Sequence, residues 1–228
     1  MKKEVVVISL GGSQIIPDEV NYLYLKKFKE VLERNSSKYK FVVVCGGGSL
    51  ARKYISAIEK QGRGHYYQSL AGINATRANA RFVSYFFGID PHRGIPHNMR
   101  TLKKYLKKRD IVVCGALEYK PNQTSDSTSA EIAKNLKGKF VNITNVPGLY
   151  NKNPKEHKDA KHIPEISWEG FDKIVQKLKF KPGQHFVLDQ TASKIIKNNK
   201  IVTYILKDNS ELNNLLKQRK FKGTVIQN

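Results

Sequence analysis

The chain of 228 residues is 39% hydrophobic, which is enough to bury one substantial core in a single large domain or in two closely packed lobes. Its longest apolar runs are far shorter than the roughly 20 residues that a membrane-spanning helix needs, and no signal peptide precedes the first predicted strand, so we expect no membrane partner and a cytoplasmic location. The formal net charge of +22 is spread over the whole chain without a basic tail, which favours a lysine-rich surface that attracts anionic substrates over a nucleic-acid-binding module.

Strand-like and helical patterns alternate along the chain. Strands are predicted at residues 4–10, 40–45, 110–114, 139–144, 184–188 and 201–206. Helices are predicted at residues 22–34, 49–61, 74–87, 99–108, 127–136, 168–178, 191–198 and 211–219. Near-continuous apolar strands that alternate with helices predict an α/β fold, a three-layer αβα sandwich with a mostly parallel central sheet. We expect one domain over residues 1–228, with lobes at 1–138 and 139–228.

The first two predicted strands are each followed by glycines. Residues 11–13 read Gly-Gly-Ser, and residues 46–48 are three glycines followed by a helical pattern that carries Arg52. Glycines let the backbone turn sharply and approach a ligand closely, and the N-terminus of a helix attracts anions. An arginine one turn into that helix can form two hydrogen bonds to a phosphate. The spacing matches neither a Walker A loop nor a dinucleotide fingerprint, so a tight turn without a ligand remains the alternative.

Polar residues follow the third and fourth predicted strands. Residues 124–129 read Thr-Ser-Asp-Ser-Thr-Ser, and Thr128 and Glu131 have the spacing of a capping box. A helix cap accounts for several of these residues, and the remaining donors are candidates to contact a ribose or a second phosphate. Residues 144–150 follow the fourth strand and lead into a predicted surface loop at 150–161.

The remaining reactive side chains suggest few further candidate sites. Lys194 lies just inside a predicted helix, where it is either solvated or points toward the edge at which the strands end. The six histidines show no metal-ligand spacing, so we expect no metal site built from protein side chains. Cys45 and Cys114 end apolar runs and are expected to be buried, reduced thiols. No motif for acyl transfer is present.

Seven segments, in this order, resemble the amino acid kinase superfamily and, within it, the archaeal-type uridylate (UMP) kinases. They cover nearly the whole chain, at residues 10–13, 46–55, 72–80, 121–133, 143–150, 188–196 and 223–226. The Thr-Arg-Ala-Asn segment at residues 76–79 favours UMP kinase within the superfamily. The resemblance implies the αβα fold described above.

The resemblance also implies roles for individual residues. On the ATP side it implies that phosphates are held by Gly12, Ser13, Gly48 and Arg52, and adenosine by Thr144, Asn145, Tyr150 and Asn153. On the UMP side it implies binding by Gly47, Ser69, Lys120, Pro121, Asn122, Gln123, Thr124, Ser125 and Asp126. Arg52 and Lys194 would be the catalytic residues.

The sequence departs from the family pattern at several of these positions. Ser69 stands where the family usually has an aspartate that holds the UMP ribose, and Ser9 stands where the family has a lysine. Pro147 and Asn153 occupy positions where aspartate is common. These departures concern the identity of the acceptor more than the fold.

The resemblance implies transfer of the γ-phosphoryl group of ATP to UMP, with Mg²⁺ as cofactor, by a homohexamer in which residues 74–87 form an interface helix. Three alternatives stay open. The first is a kinase of the same superfamily with another acceptor, the second is a non-catalytic relative that binds an oxoanion or a nucleotide, and the third is a nucleic-acid-binding module.

Overall fold

The computed structural model describes residues 3–89, 94–121, 123–152, 154, 157–177 and 188–228. The helices are α1 (Gly12–Ile15), α2 (Tyr22–Asn35), α3 (Gly48–Lys60), α4 (His65–Phe86), α5 (Met99–Lys108), α6 (Ser125–Leu136), α7 (Trp168–Lys177), α8 (Gln190–Asn198) and α9 (Asn209–Leu216). The strands are β1 (Glu4–Leu10), β2 (Tyr39–Cys45), β3 (Ile111–Cys114), β4 (Lys139–Ile143), β5 (Leu149–Tyr150), β6 (His162–Ile163), β7 (Glu165–Ile166), β8 (Thr203–Leu206) and β9 (Gly223–Ile226).

The described strands form a seven-stranded sheet in the order β3-β2-β1-β4-β8-β9-β7. The first five strands of this order run parallel to one another, and β9 pairs antiparallel with β8. Strands β5 and β6 form a separate antiparallel pair. The carboxyl ends of β1, β2, β3, β4 and β8 therefore meet at one edge of the sheet.

Helices cover both faces of the sheet. One face packs against α5, α6, α7 and α8, and the other packs against α2, α4 and α9. Phe140 and Phe171 are fully buried on the first side, and Phe28 and Phe41 are fully buried on the second. Since the central strands are covered on both faces, their sequences are continuously apolar. The predicted three-layer αβα sandwich with a mostly parallel sheet is confirmed.

Most predicted elements agree with the structure. The bounds of β1 and α5 match, and those of most other predicted elements differ by three residues or fewer. The predicted start of α4 is wrong by nine residues, because the helix begins at His65 rather than at residue 74. The first turn of α4 is exposed and polar, so no apolar stripe marks it in the sequence.

Several short strands were not predicted. Strands β5, β6 and β7 have two residues each, and β9 has four, so their patterns are too short to recognise. The predicted strand at residues 184–188 lies outside the described residues except at Leu188. None of the helices in the described ranges is both long and apolar enough to cross a membrane.

Candidate active site

Two glycine-rich turns touch each other at the carboxyl ends of β1 and β2. A Cβ atom on Gly12 would lie 2.3 Å from the backbone N of Gly48, and a Cβ on Gly48 would lie 2.8 Å from the carbonyl carbon of Gly12. The backbone N–H of Gly46 donates to the carbonyl of Leu10 at 2.9 Å. Gly48 also has a φ of +58°, which disfavours any residue with a Cβ. The two turns can therefore approach this closely only because both positions lack a side chain.

Helix α3 begins in the second of these turns, with Gly47 as its N-cap. Neither an acidic side chain in the first turn nor a side-chain cap is present to satisfy its free N–H groups. These N–H groups and the helix dipole therefore favour an anion at this position. Arg52 lies one turn into α3, its side chain is exposed, and within the described residues it makes no ion pair. It is free to contact such an anion.

Helix α4 supports the second glycine turn through hydrogen bonds from one of its side chains. The side-chain amide of Asn79 donates to the carbonyl of Gly46 at 2.7 Å and to that of Gly47 at 3.4 Å. The hydroxyl of Thr76 accepts a hydrogen bond from the backbone N–H of Ala116 at 2.9 Å. These bonds fix the loops after β2 and β3 relative to one helix. The supporting roles of Thr76 and Asn79 were not predicted from the sequence, although the Thr-Arg-Ala-Asn segment marked their position.

We expect the Asn79→Ala variant to lower kcat/KM by about 10–100-fold, because a less rigid glycine turn positions its ligand less well. Its free energy of unfolding should fall by about 1–3 kcal/mol, since the buried carbonyl of Gly46 loses its side-chain donor. Steady-state kinetics and urea unfolding measure the two effects. Ser84→Ala is the matched control, because Ser84 is buried on the same helix and its hydroxyl donates to the carbonyl of Ala80 in that helix. Equal kinetics in the two variants would contradict the assigned role of Asn79.

The capping box of α6 lies earlier than predicted. Thr124 is the N-cap, its hydroxyl accepts from the backbone N–H groups of Asp126 and Ser127, and the Ser127 hydroxyl accepts from the backbone N–H of Thr124. The predicted pairing of Thr128 with Glu131 is wrong, since the Thr128 hydroxyl instead donates to the carbonyl of Thr124. A serine at the third helical position replaces the glutamate that the sequence rule requires.

Hydrogen bonds link the starts of α6 and α8 to β1. The Ser9 hydroxyl donates to Asp126 Oδ1 at 2.8 Å, and the Thr124 hydroxyl donates to Asp189 Oδ2 at 2.5 Å. Asp189 is the N-cap of α8 and accepts from the backbone N–H groups of Thr191 and Ala192. Thr124 therefore connects the caps of two helices whose N-termini both lie near the strand ends.

The position of Asp126 changes its titration. Burial and the nearby carboxylate of Asp189 raise the pKa of Asp126 to about 7, although the hydrogen bond from Ser9 acts in the opposite direction. In the unfolded chain this carboxyl loses its proton near pH 4. Between about pH 4 and pH 7 the folded state thus binds more protons than the unfolded state, and the contribution of Asp126 to stability declines as the pH rises.

We therefore expect the urea unfolding midpoint of the Asp126→Asn variant to rise relative to that of the wild type as the pH increases from 5 to 8. The amide cannot ionise, so it avoids the repulsion from Asp189. Unfolding is followed by circular dichroism without nucleotide and in EDTA. Asp159→Asn, at an exposed ion pair with Lys152, is the control and should show a constant difference. A constant difference for Asp126→Asn as well would contradict the assigned titration.

Helix α8 is held in place by a buried carboxylate on α7. Asp172 accepts from the hydroxyl of Ser193 at 3.0 Å and forms an ion pair with Lys197. Hydrogen bonds from Lys197, Gln176 and Ser193 outweigh the burial of this carboxyl and lower the pKa of Asp172. Lys194 lies on the same helix, is exposed, and within the described residues has no ion-pair partner. Lys194 is therefore available to contact a ligand, which is a requirement of the hypothesis that it points toward the edge at which the strands end.

The residues expected to bind the acceptor come from three elements. Ser69 is half-buried on α4, within the part of the helix that the sequence did not predict. Lys120 and Pro121 are exposed in the loop between β3 and α6, where the backbone N–H of Gln123 donates to the carbonyl of Lys120 at 3.3 Å. Ser125 begins α6. Asn122 lies outside the described residues.

The residues expected to bind adenosine follow β4. The backbone N–H of Thr144 donates to the carbonyl of Leu206 at 2.9 Å, and Asn145 is exposed. Tyr150 lies in β5, where its ring is 5.3 Å from the ring of His162 on β6. The predicted surface loop at 150–161 thus follows β5, one strand of the short antiparallel pair β5 and β6. Asn153 lies outside the described residues.

The Gly-Thr-Val-Ile segment at residues 223–226 is strand β9, and it supports the Tyr150 side of the site. Thr224 Oγ accepts from the backbone N–H of Leu149 at 2.7 Å and donates to the carbonyl of Ile163 at 2.5 Å. One buried threonine therefore fastens β5 and β6 to the main sheet. This structural role of residues 223–226 was not predicted from the sequence.

Acidic, histidine and cysteine side chains form no cluster of three or more suited to a metal ion within the described residues. Cys45 and Cys114 are both buried and free. Burial raises the pKa of each thiol. The arrangement at this edge is thus one of glycine N–H groups, hydroxyls, carboxylates and free cations.

The chain is similar in sequence to a known protein family and to individual relatives. The model of the amino acid kinase family matches residues 4–207. The uridylate kinase of Methanobrevibacter smithii is 31% identical over 201 residues, which cover 88% of each chain. That of Thermococcus kodakarensis is 30% identical over 225 residues, which cover 97% of this chain and 99% of the relative.

Solved structures of uridylate (UMP) kinases are also similar to this chain. The crystal structure of uridylate kinase from Archaeoglobus fulgidus superposes with a TM-score of 0.83 at 31% identity, covering 97% of this chain and 99% of that one. The UMP kinase of Ureaplasma parvum, at 21% identity and a TM-score of 0.78, shares the fold.

Proposed function

The chain belongs to the amino acid kinase family, with archaeal uridylate kinases among its relatives, and on that premise we propose that it transfers the γ-phosphoryl group of ATP to UMP, giving UDP and ADP. The contact between Gly12 and Gly48 carries this proposal. It joins two turns rich in backbone donors at the edge of the sheet where ligands of α/β folds bind. Two such turns side by side suit a chain of phosphates shared between two nucleotides.

The chemistry of the reaction fits the side chains present. A phosphate oxygen of UMP is already a nucleophile at neutral pH, so the transfer requires no general base. Catalysis then depends on alignment of the two phosphates and on neutralisation of their charge. Arg52 and Lys194, which are exposed cations near the strand ends, supply positive charge in this proposal. ATP binds as its Mg²⁺ complex, whose metal reduces the charge on the phosphates, and EDTA in excess should abolish turnover.

We assign the two nucleotides to the two lobes. Residues 1–138 form the acceptor lobe and residues 139–228 the ATP lobe. In the acceptor lobe Gly47 approaches the UMP phosphate, Ser69 the ribose, and residues 120–126 the nucleoside. The ATP phosphates reach across to the acceptor lobe, where Gly12, Ser13, Gly48 and Arg52 hold them. In the ATP lobe the adenosine lies between Thr144, Asn145, Tyr150 and Asn153.

The proposal is tested by coupled ADP release with UMP, CMP, dTMP and GMP, and with acetylglutamate, carbamate and isopentenyl phosphate as acceptors from the same superfamily. We expect the highest kcat/KM with UMP. Turnover with acetylglutamate but not with UMP would overturn the proposed acceptor. Tight ATP binding without turnover of any acceptor would favour a non-catalytic relative.

We further propose that the protein is a homohexamer and acts in the cytoplasm. Exposed aromatic side chains on α2 and α4 support self-association, since Tyr22 is 56% and Tyr85 is 58% exposed. In the single chain the opposite side of α4 packs against the sheet through the buried side chains of Ala80 and Val83. The free, buried state of both cysteines suits a reducing compartment. Light scattering coupled to gel filtration measures the oligomeric state.

A further inference from the structure

A cavity of about 380 Å³ lies at the edge of the sheet opposite the glycine turns. Its lining includes Tyr39 and Lys139, which are the first residues of β2 and β4, whereas the glycine turns follow the last residues of β1 and β2. Val141, Tyr204 and Val225 form its floor and are direct neighbours in register on β4, β8 and β9. The floor is therefore a flat strip of apolar and aromatic side chains.

The end of α9 and the turn that follows it form the roof of the cavity. Leu215 and Leu216 line it from α9, and the hydroxyl of Tyr39 donates to the carbonyl of Leu216 at 3.1 Å, which fixes the end of the helix. The aromatic ring of Phe221 stands edge-on to that of Tyr204, with centroids 6.0 Å apart. Rigid aromatic and aliphatic groups thus bound the space on both sides.

Among the described residues, the charged side chains that line the cavity are Lys139 and Arg219, and no aspartate or glutamate of that part of the chain lines it. Lys139 is paired with Glu4 at 2.9 Å, which offsets its charge. Arg219 is exposed and takes part in no ion pair within the described ranges. The opening of the cavity is consequently electropositive, with one free guanidinium at its rim.

We propose that this cavity is a second binding site, for a small aromatic anion with one or two rings. Its volume is near the lower limit of ligand pockets, about 300–1,000 Å³, which suits a ligand of that size. The rings lie against Val225 and Tyr204, and the carboxylate, sulfonate or phosphate of the ligand pairs with Arg219. The site is separate from the proposed nucleotide site and does not depend on the proposed function.

The probe that tests the site is naphthalene-1-sulfonate, a two-ring aromatic sulfonate, titrated into the intact protein and followed by calorimetry. We expect one saturable site per chain, which saturating ATP and UMP do not displace. Arg219→Glu should weaken the binding at least 10-fold by reversing the charge at the rim. Val225→Phe should weaken it by a similar factor, because the larger side chain fills the floor.

Lys220→Glu is the matched control for charge, since Lys220 is exposed and adjacent to Arg219 but does not line the cavity. Its affinity for the probe should stay within 2-fold of the wild type. Near-UV circular dichroism checks that every variant keeps its packing, because loosened proteins also bind this probe. Equal loss of affinity in Arg219→Glu and Lys220→Glu, displacement by ATP, or binding that is insensitive to both cavity variants would overturn the proposal.

Discussion

Replacing Arg52 with alanine is expected to lower kcat/KM for the phosphorylation of UMP by about 100–1,000-fold. The proposed role of Arg52 is to pair with the transferring phosphate, and the loss of one well-placed donor to a developing charge has an effect of this size. Its side chain starts in the first turns of α3, directly after the glycine turn, and is exposed. Because the guanidinium has no protein ion-pair partner among the described residues, the variant should keep the stability of the wild type.

Coupled ADP release with UMP measures this effect, and thermal unfolding verifies the fold. Lys53→Ala is the matched control, because Lys53 is the next residue on α3, carries the same charge and is also exposed. Lys53→Ala should change kcat/KM by less than about 3-fold if the position of the cation, rather than the net charge, is what matters. Similar losses in the two variants would show that Arg52 acts only through the general positive field.

The Gly48→Ala variant is expected to lose more than about 99% of the activity and to unfold at a lower urea concentration. The added Cβ would lie 2.8 Å from the carbonyl carbon of Gly12, which is backbone and cannot move aside without displacing the first turn. The φ of +58° adds a conformational cost of about 1–2 kcal/mol. Both turns would shift, so the backbone donors of both nucleotide subsites would lose their alignment.

Gly62→Ala separates these two causes. Gly62 has a similar φ of +73°, but a Cβ there would meet no atom within 4 Å. This variant should therefore show the conformational cost alone, with near-normal kcat/KM. Urea unfolding and steady-state kinetics on both variants give the comparison. Full activity in Gly48→Ala would mean that the contact between the two glycine turns does not shape the site.

The local patterns of the sequence were sufficient for the parts of the fold that are buried and regular. Strand β1 and helix α5 have the bounds that their apolar patterns predict, because burial on one or both faces imposes a period on the sequence. The first turns of α4 have no such burial, and the short strand β9 depends on its partner β8 rather than on its own pattern. Both were missed or misplaced for that reason.

Some features of the candidate site are likewise visible in the sequence, and others are not. The glycines at 12, 46 and 48 are visible in the sequence because a close backbone approach excludes every other residue type. The support from Asn79 is not visible, since its partner, the carbonyl of Gly46, lies 33 residues away in the chain. The same is true of the hydrogen bond between Thr124 and Asp189, which are 65 residues apart.

The sequence by itself determined the αβα architecture and the two glycine turns with Arg52 beside them, because each of these depends on short-range patterns of burial and backbone freedom. The family was indicated by the resemblance of seven ordered segments. Only the tertiary structure decided which groups hold those turns, where the caps of α6 and α8 meet, and that burial, together with the nearby carboxylate of Asp189, raises the pKa of Asp126 to about 7. Such features depend on distances between residues remote in the chain. Hydrogen bonds and charge repulsion act only over a few ångströms, so they are set when the chain has folded.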